Sequence, residues 1–153
     1  MRPRTDDTMM AIAKVMAQRS TCLRNKVGAV LAQGAYILAT GYNGAPRHMK
    51  HCEVAGCIRD KDHVPSGMRT EYCRGSHAEI NALLQAANRG VAVGTPGLEL
   101  YTTHSPCCNC AKALINMGVQ YVVMELDYPD ELAKKLLKEA GVGVIRYENR
   151  EQS

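Results

Sequence analysis

A three-layer α/β/α fold built on one five-stranded mixed sheet is what this sequence predicts, and three observations lead there. The chain has 153 residues, 46% of them apolar, which is one domain's worth with enough apolar side chains for a sizeable core. Its segments alternate in hydrophobic period in the order α-β-β-α-β-α-β-α-β. After the opening hairpin, strands separated by helices need crossover connections. The sheet must then mix antiparallel with parallel pairs and carry helices on both faces.

Each element has a local reason. Thr5–Arg19 reads as the first helix, because Met9, Ile12, Ala13 and Met16 recur at three- and four-residue spacing, with Asp6 or Thr5 as cap. Lys26–Ala32 (KVGAVLA) is a strand, Gln33-Gly34-Ala35 a hairpin turn, and Tyr36–Gly41 (YILATG) the returning strand. His77–Arg89 is helical, with Ile80, Leu83, Leu84 and Ala87 on one face and Gly90 as its stop. Leu98–Thr103 is a strand, Cys108–Met117 a short helix ended by Gly118, and Val119–Met124 the next strand. Pro129 sits near the first position of a helix that runs to Ala140 and stops at Gly141. Val142–Tyr147 is the last strand. The exception is Tyr42–Ser76, a long polar stretch holding three Cys and three His. Structureless loops longer than about 12–15 residues are uncommon in compact domains, so something is expected to tie this one down. Nothing splits the chain, and 1–153 is expected to be a single domain with a cysteine-rich insertion at about 43–76.

Composition excludes several classes. There is no Trp and no Phe, so the core must come from Val, Ile, Leu, Ala and Met. Charged residues are 22%, near the globular average, which argues against wholesale disorder. No run approaches the roughly 20 apolar residues of a membrane helix. Met1–Asp7 has two arginines but no apolar stretch behind them, unlike a secretory signal, so the expected compartment is the cytoplasm. The net charge is +4, and residues 1–26 hold six Lys/Arg against two acids. That surplus suffices for a few phosphate contacts but not for a nucleic-acid track, which would need a basic tail or interleaved aromatics. The expected partner is a small molecule, not a nucleic acid or a membrane. The seven cysteines are an odd number, which rules out complete pairing within one chain. Clustered thiols in a reducing compartment point to metal or catalysis.

His77-Ala78-Glu79 and Pro106-Cys107-Cys108-Asn109-Cys110 are the residues that carry chemistry. His77 opens one predicted helix, and Cys107 with Cys110 opens another. Helix N-termini favour thiolate over thiol. One nitrogen and two sulfurs on a common centre suit zinc, and three protein ligands leave the fourth position for water. Glu79, two residues beyond His77, is placed to face that position as general base and then general acid. Cys108 should point elsewhere. Alone, His-x-Glu is an ordinary helix start, and Cys-x-x-Cys is a structural zinc or redox pair. Together, preceded by Pro and a strand, they form the pattern of a zinc deaminase.

From Arg19 to Ala140 the chain resembles the deoxycytidylate (dCMP) deaminases, in particular the phage and bacterial competence-operon branch. Arg19-Ser20-Thr21-Cys22, Val27-Gly28-Ala29-Val30, and Gly41-Tyr42-Asn43-Gly44-Ala45-Pro46 carry the resemblance in its first half. Cys73 through Ala82 (CRGSHAEINA), Tyr101 through Lys112 (YTTHSPCCNCAK) and Asp127 through Leu132 carry it in the second. The resemblance implies a cytidine-deaminase-like fold and hydrolysis of the 4-amino group of dCMP to dUMP and ammonia, feeding thymidylate synthesis. It implies that Asn43 contacts the sugar hydroxyl and that Ala78, Thr103, His104 and Ser105 line the substrate pocket. It implies a homohexamer activated by dCTP, with Mg²⁺ accompanying the nucleotide, and inhibited by dTTP. Arg24, Lys26, Gly41, Tyr42 and Gly44 would belong to the effector site. Some relatives hold a second, structural zinc, for which Cys22, Cys52, Cys57 and Cys73 are the candidates here. His48, His51 or His63 can replace one thiol, and idle buried thiols are the plain alternative.

Other readings of the same residues stay open. A deaminase of a modified dCMP, of a nucleoside or of a free base needs the same zinc and Glu79. An adenosine deaminase acting on tRNA shares both motifs but needs a groove for flanking nucleotides, against which the weak basic surplus argues. A zinc-stapled nucleotide-sensing module would have no use for Glu79.

Overall fold

The computed structural model describes residues 1–148, so the last five residues of the expected domain lie outside the described ones. In chain order the elements are α1 (Thr5–Ala17), β1 (Gly28–Gln33), β2 (Tyr36–Tyr42), α2 (Cys52–Ala55), α3 (Ile58–Lys61), α4 (Ala78–Asn88), β3 (Leu98–His104), α5 (Cys108–Met117), β4 (Tyr121–Leu126), α6 (Glu131–Glu139) and β5 (Gly143–Arg146). The five strands form one sheet in the order β2-β1-β3-β4-β5. β1 runs antiparallel to both β2 and β3, while β3, β4 and β5 are mutually parallel. The hairpin turns through Gly34-Ala35, with Gln33 opposite Tyr36.

The strand period of two sorts side chains to the two faces. On β1, Ala29 and Leu31 join Leu98, Leu100 and Val122 in a core covered by Ala78, Ala82 and Ala86 of α4, Ala111 and Leu114 of α5, and Ala133 and Leu137 of α6. Val30 and Ala32 point the other way, with Tyr101 and Val123, onto Met9, Met10 and Ala13 of α1. Helices therefore cover both faces, as the element order requires.

Two helix starts differ from expectation. α1 is capped from Arg4, not from Thr5 or Asp6. The Asp7 carboxylate accepts the Arg4 backbone N–H at 3.2 Å and its guanidinium at 2.8 Å, closing the first turn from outside. α6 begins after Asp130 instead of at Pro129, because the Asp130 carboxylate accepts the Ala133 N–H at 3.0 Å. The long polar stretch is tied by short local structure and cationic stitches. α2 and α3 each make a single turn. Arg24 bonds Asp60 and the Val64 carbonyl, Arg59 the Met68 carbonyl, and Arg74 the Lys50 carbonyl. Gly44 and Ser76 exchange two backbone hydrogen bonds that close the stretch at its ends.

Candidate active site

The site sits where two helices begin on the same face of the sheet. α4 lies directly on β2, and Gly41 makes the approach possible: a Cβ there would stand 2.2 Å from the Ala78 carbonyl oxygen and 2.5 Å from the Ala82 nitrogen. His77 is the N-cap residue of α4, and Cys107 is that of α5. Both have extended backbone, which turns their side chains out of the helix and toward each other. His77 Nδ1 lies 3.4 Å from Cys107 Sγ and 3.4 Å from Cys110 Sγ. The donor atoms of the three residues lie within 4.8 Å of one another, the one such group of three or more among the described residues. One imidazole and two sulfurs from two rigid helix starts fit zinc, with a coordination position left over.

Glu79 is 4% exposed, and its Oε2 accepts from Cys110 Sγ at 3.5 Å. Burial pushes its carboxyl up from the ordinary range, toward the range in which one group can both take and give a proton. The neighbouring groups are strongly coupled. A hydrogen bond from Cys110 draws the Cys107 thiol down, and the same contact pushes Cys110 up. The bond to Cys107 in turn raises His77. Such a cluster is poised to exchange its shared protons for a dication. Cys108 lies outside the cluster, packing on the core, and its N–H donates to Asp130 Oδ2 at 2.8 Å.

His77, Glu79 and Cys107 form part of the wall of a cavity of about 800 Å³, counted out to its mouth. Of the expected substrate residues, Asn43, Ala78, His104 and Ser105 are on that wall. Thr103 is buried behind it, where its hydroxyl accepts the Gly28 N–H at 3.1 Å and meets His104 Nδ1 at 2.9 Å. Burial lowers His104, which favours the neutral imidazole. Asn43 already has structural work: its Oδ1 accepts from Val27 and its Nδ2 donates to the Asn25 carbonyl.

The expected effector residues do not converge. Arg24 and Gly44 face the same cavity as the cluster, Lys26 is exposed, Tyr42 carries Arg19 over its ring at 5.7 Å, and Gly41 packs against α4. Of the four remaining cysteines, Cys22, Cys52 and Cys73 also reach the cavity wall. The Cys52 thiol is pushed up by burial and then by the closeness of Cys73, Cys22 and Cys57. His51 Nδ1 is engaged with Thr21 Oγ1, while His48 and His63 adopt positive φ. Arg59, Thr70 and Tyr128 are on the wall as well, and the residue reading missed them as site residues. Arg59 lies inside the insertion with no motif to mark it. Tyr128 stands in a segment picked out only by resemblance.

Zinc-dependent deaminases are the class in which a His/Cys/Cys centre and a carboxyl that is not a ligand share one pocket. Comparison with known proteins narrows this: the model of the cytidine and deoxycytidylate deaminase zinc-binding region matches residues 3–126, and the chain belongs to that family. It is 37% identical over 153 residues to the deoxycytidylate deaminase of Saccharomyces cerevisiae, covering 99% of this chain and 47% of the yeast protein. It is 39% identical to ComE operon protein 2 of Bacillus subtilis, covering 91% of this chain and 69% of that one. The dCMP deaminase of cyanophage S-TIM5, solved in complex with dCMP and dUMP, superposes with a TM-score of 0.78 at 32% identity, over 96% of this chain and 99% of that one. The chain spans about half the length of the fungal relatives it matches.

Proposed function

We propose that this chain hydrolyses dCMP to dUMP and ammonia. The observation that carries the reading is the buried Glu79 carboxyl against the His77, Cys107 and Cys110 cluster, on the wall of one cavity. The cyanophage enzyme of the same fold, solved with dCMP and dUMP, supports the substrate. His77, Cys107 and Cys110 would hold zinc, which would supply a water activated for attack on C4 of cytosine. Glu79 would take that water's first proton and deliver it to N3, then take the second from the new hydroxyl on C4 and pass it to the 4-amino nitrogen, which departs as ammonia as the C4 carbonyl forms. The low exposure of Glu79 keeps bulk water from competing for the proton. The neutral His104 on the wall adds no charge to the reacting ring.

The test is the fall in cytosine absorbance when zinc-loaded protein meets dCMP. Turnover of dCMP is expected. Turnover of deoxycytidine alone, or of neither with zinc bound, would overturn the assignment.

Regulation by dCTP as activator and dTTP as inhibitor, with Mg²⁺, is part of the same reading, as are a homohexamer and a cytoplasmic location. The family resemblance supports the regulation and the assembly. No helix among the described residues is long and apolar enough to cross a membrane. A second, structural zinc on Cys22, Cys52, Cys57 and Cys73 also belongs to it and rests on the family resemblance alone, since among the described residues these four thiols do not form a group close enough to hold one ion. Two zinc ions per chain are expected, falling to one in Cys57→Ser. One zinc per chain, unchanged by that substitution, would remove the second site.

A further inference from the structure

Two guanidinium groups on the cavity wall, that of buried Arg59 and that of half-buried Arg24, each have one buried nitrogen with no acceptor among the described residues: Nε of Arg59 and Nη1 of Arg24. A buried charged donor left unpaired is costly, so such groups usually have a partner. Arg24 has part of one, since its Nε donates to the Asp60 carboxylate at 2.7 Å and its Nη2 to the Val64 carbonyl. Arg59 has less. It is 8% exposed, and its Nη2 bonds only neutral carbonyls, of Met68 at 2.7 Å and Pro65 at 3.5 Å. The ion pairs among the described residues engage Arg4, Lys14, Arg24, Arg69 and Lys134, and leave Arg59 out.

The simplest account makes Arg59 a staple for the insertion. That explains Nη2 but leaves Nε and the whole positive charge without compensation. A solvated surface charge is ruled out by the burial. What remains is a counter-charge that arrives with a ligand, in the cavity that also holds His77 and Glu79. Phosphate is the anion that a guanidinium fork matches best, with two parallel N–H bonds.

We propose that Arg59 binds the 5′-phosphate of the substrate, with Arg24 Nη1 as a second donor, and so sets the preference for a nucleoside monophosphate over a nucleoside. The inference rests on the dCMP reading above for the identity of the substrate, but the anion site itself does not. It gives the cysteine-rich insertion a direct part in specificity: the loop and α3 carry the arginine that reads the phosphate, and α4 and α5 carry the chemistry.

The first arm of the test uses ¹⁵N-labelled, zinc-loaded full chain titrated with inorganic phosphate. The Arg59 Nε–Hε resonance, assigned through the backbone, should shift saturably. An unmoved resonance at millimolar phosphate, or one that responds only to zinc loading of the thiols, would overturn the proposal. The second arm compares kcat/KM for dCMP and for deoxycytidine. Arg59→Lys keeps the charge but loses the fork. It should lower the dCMP-to-deoxycytidine ratio roughly 10- to 100-fold, mostly through KM for dCMP. An unchanged ratio in a folded, zinc-replete variant would also overturn it. If the variant does not fold, the resonance in the unsubstituted chain decides. If phosphate moves Arg59 but dCMP is not turned over, the cradle stands and the substrate reading falls. If dCMP is turned over and Arg59 ignores phosphate, this inference alone falls.

Discussion

Glu79 and Gly41 show how single positions serve chemistry and packing separately. Glu79 touches Cys110 and lines the cavity, and replacing its carboxyl with an amide conserves volume. Glu79→Gln is expected to lower kcat by about 10²- to 10⁴-fold, the usual worth of a positioned proton shuttle, while zinc content and Tm stay put. Retention of more than a tenth of the turnover would remove the carboxyl from the reaction. Gly41 does the opposite kind of work. Its missing Cβ lets α4 lie on β2, and any side chain there meets backbone, which has little room to move. Gly41→Ala should cost about 1–3 kcal/mol in thermal unfolding and take activity down with it, because the helix it displaces carries Glu79 and follows His77. An unchanged Tm with altered response to dCTP would return Gly41 to the effector role that the resemblance gave it.

Between elements, polar contacts fix orientation where apolar packing is indifferent. Tyr101 on β3 is buried, and its hydroxyl donates toward Glu99 at 2.9 Å and Asp6 of α1 at 3.1 Å. Burial, reinforced by the bond to Glu99, pushes this phenol far above its ordinary value. The folded protein thus keeps Tyr101 protonated where the unfolded chain, ionising near pH 10, does not. The stability it contributes is complete below pH 10 and is lost as pH rises beyond it. Tyr101→Phe should cost about 1 kcal/mol at neutral pH and flatten the alkaline limb of a Tm–pH curve. An equally steep limb would show that other groups govern it. Asp130 joins two helices on the opposite face, with one oxygen on the Ala133 N–H and the other on the Cys108 N–H beside the cluster. Asp130→Ala is expected to lose about 1–2 kcal/mol and to speed zinc release to a chelator. These contacts mark where the sequence stopped being legible. Periodicity revealed α1, α5, the five strands and the two-faced sheet, because burial follows local spacing; it also found α4 but not its buried face, since Ala78, Ala82 and Ala86 meet the core while Leu84 and Ala87 of the expected face are exposed. His77, Glu79, Cys107 and Cys110 were legible because His77 with Glu79, and Cys107 with Cys110, each lie within one helix start. Asp130 as a double cap and Arg59 on the cavity wall were not, since each depends on a partner brought close only by tertiary folding or by a loop without period, and Arg4 was missed because arginine is not an ordinary cap and its turn is closed from Asp7, three residues on.

At the scale of the whole molecule, metal and fold are coupled but not equivalent. The sheet carries its own apolar packing on both faces, from Val30, Leu31, Leu98, Leu100 and Val122 to the helices above and below. Zinc on His77, Cys107 and Cys110 would join the starts of α4 and α5, which already share the core through Ala78, Ala82, Ala111 and Leu114. A small finger that lacks such a core unfolds without its metal. This chain should not. Removing zinc with a strong chelator is expected to abolish turnover, leave far-UV dichroism nearly intact, and lower Tm. If free zinc stands near a thousandfold above its Kd, the lost stabilisation is about 4 kcal/mol. For a chain of this size that corresponds to a drop of roughly 8–16 °C. Acid should act in the same direction, since the imidazole and both thiols must shed protons to bind a dication, so the zinc-dependent part of Tm shrinks as pH falls. Restoring zinc at neutral pH should recover both activity and Tm. A chelated chain that loses its dichroism outright would instead make the metal a condition of folding, and the stability of the sheet would have to be ascribed to the metal that pins α4 to α5.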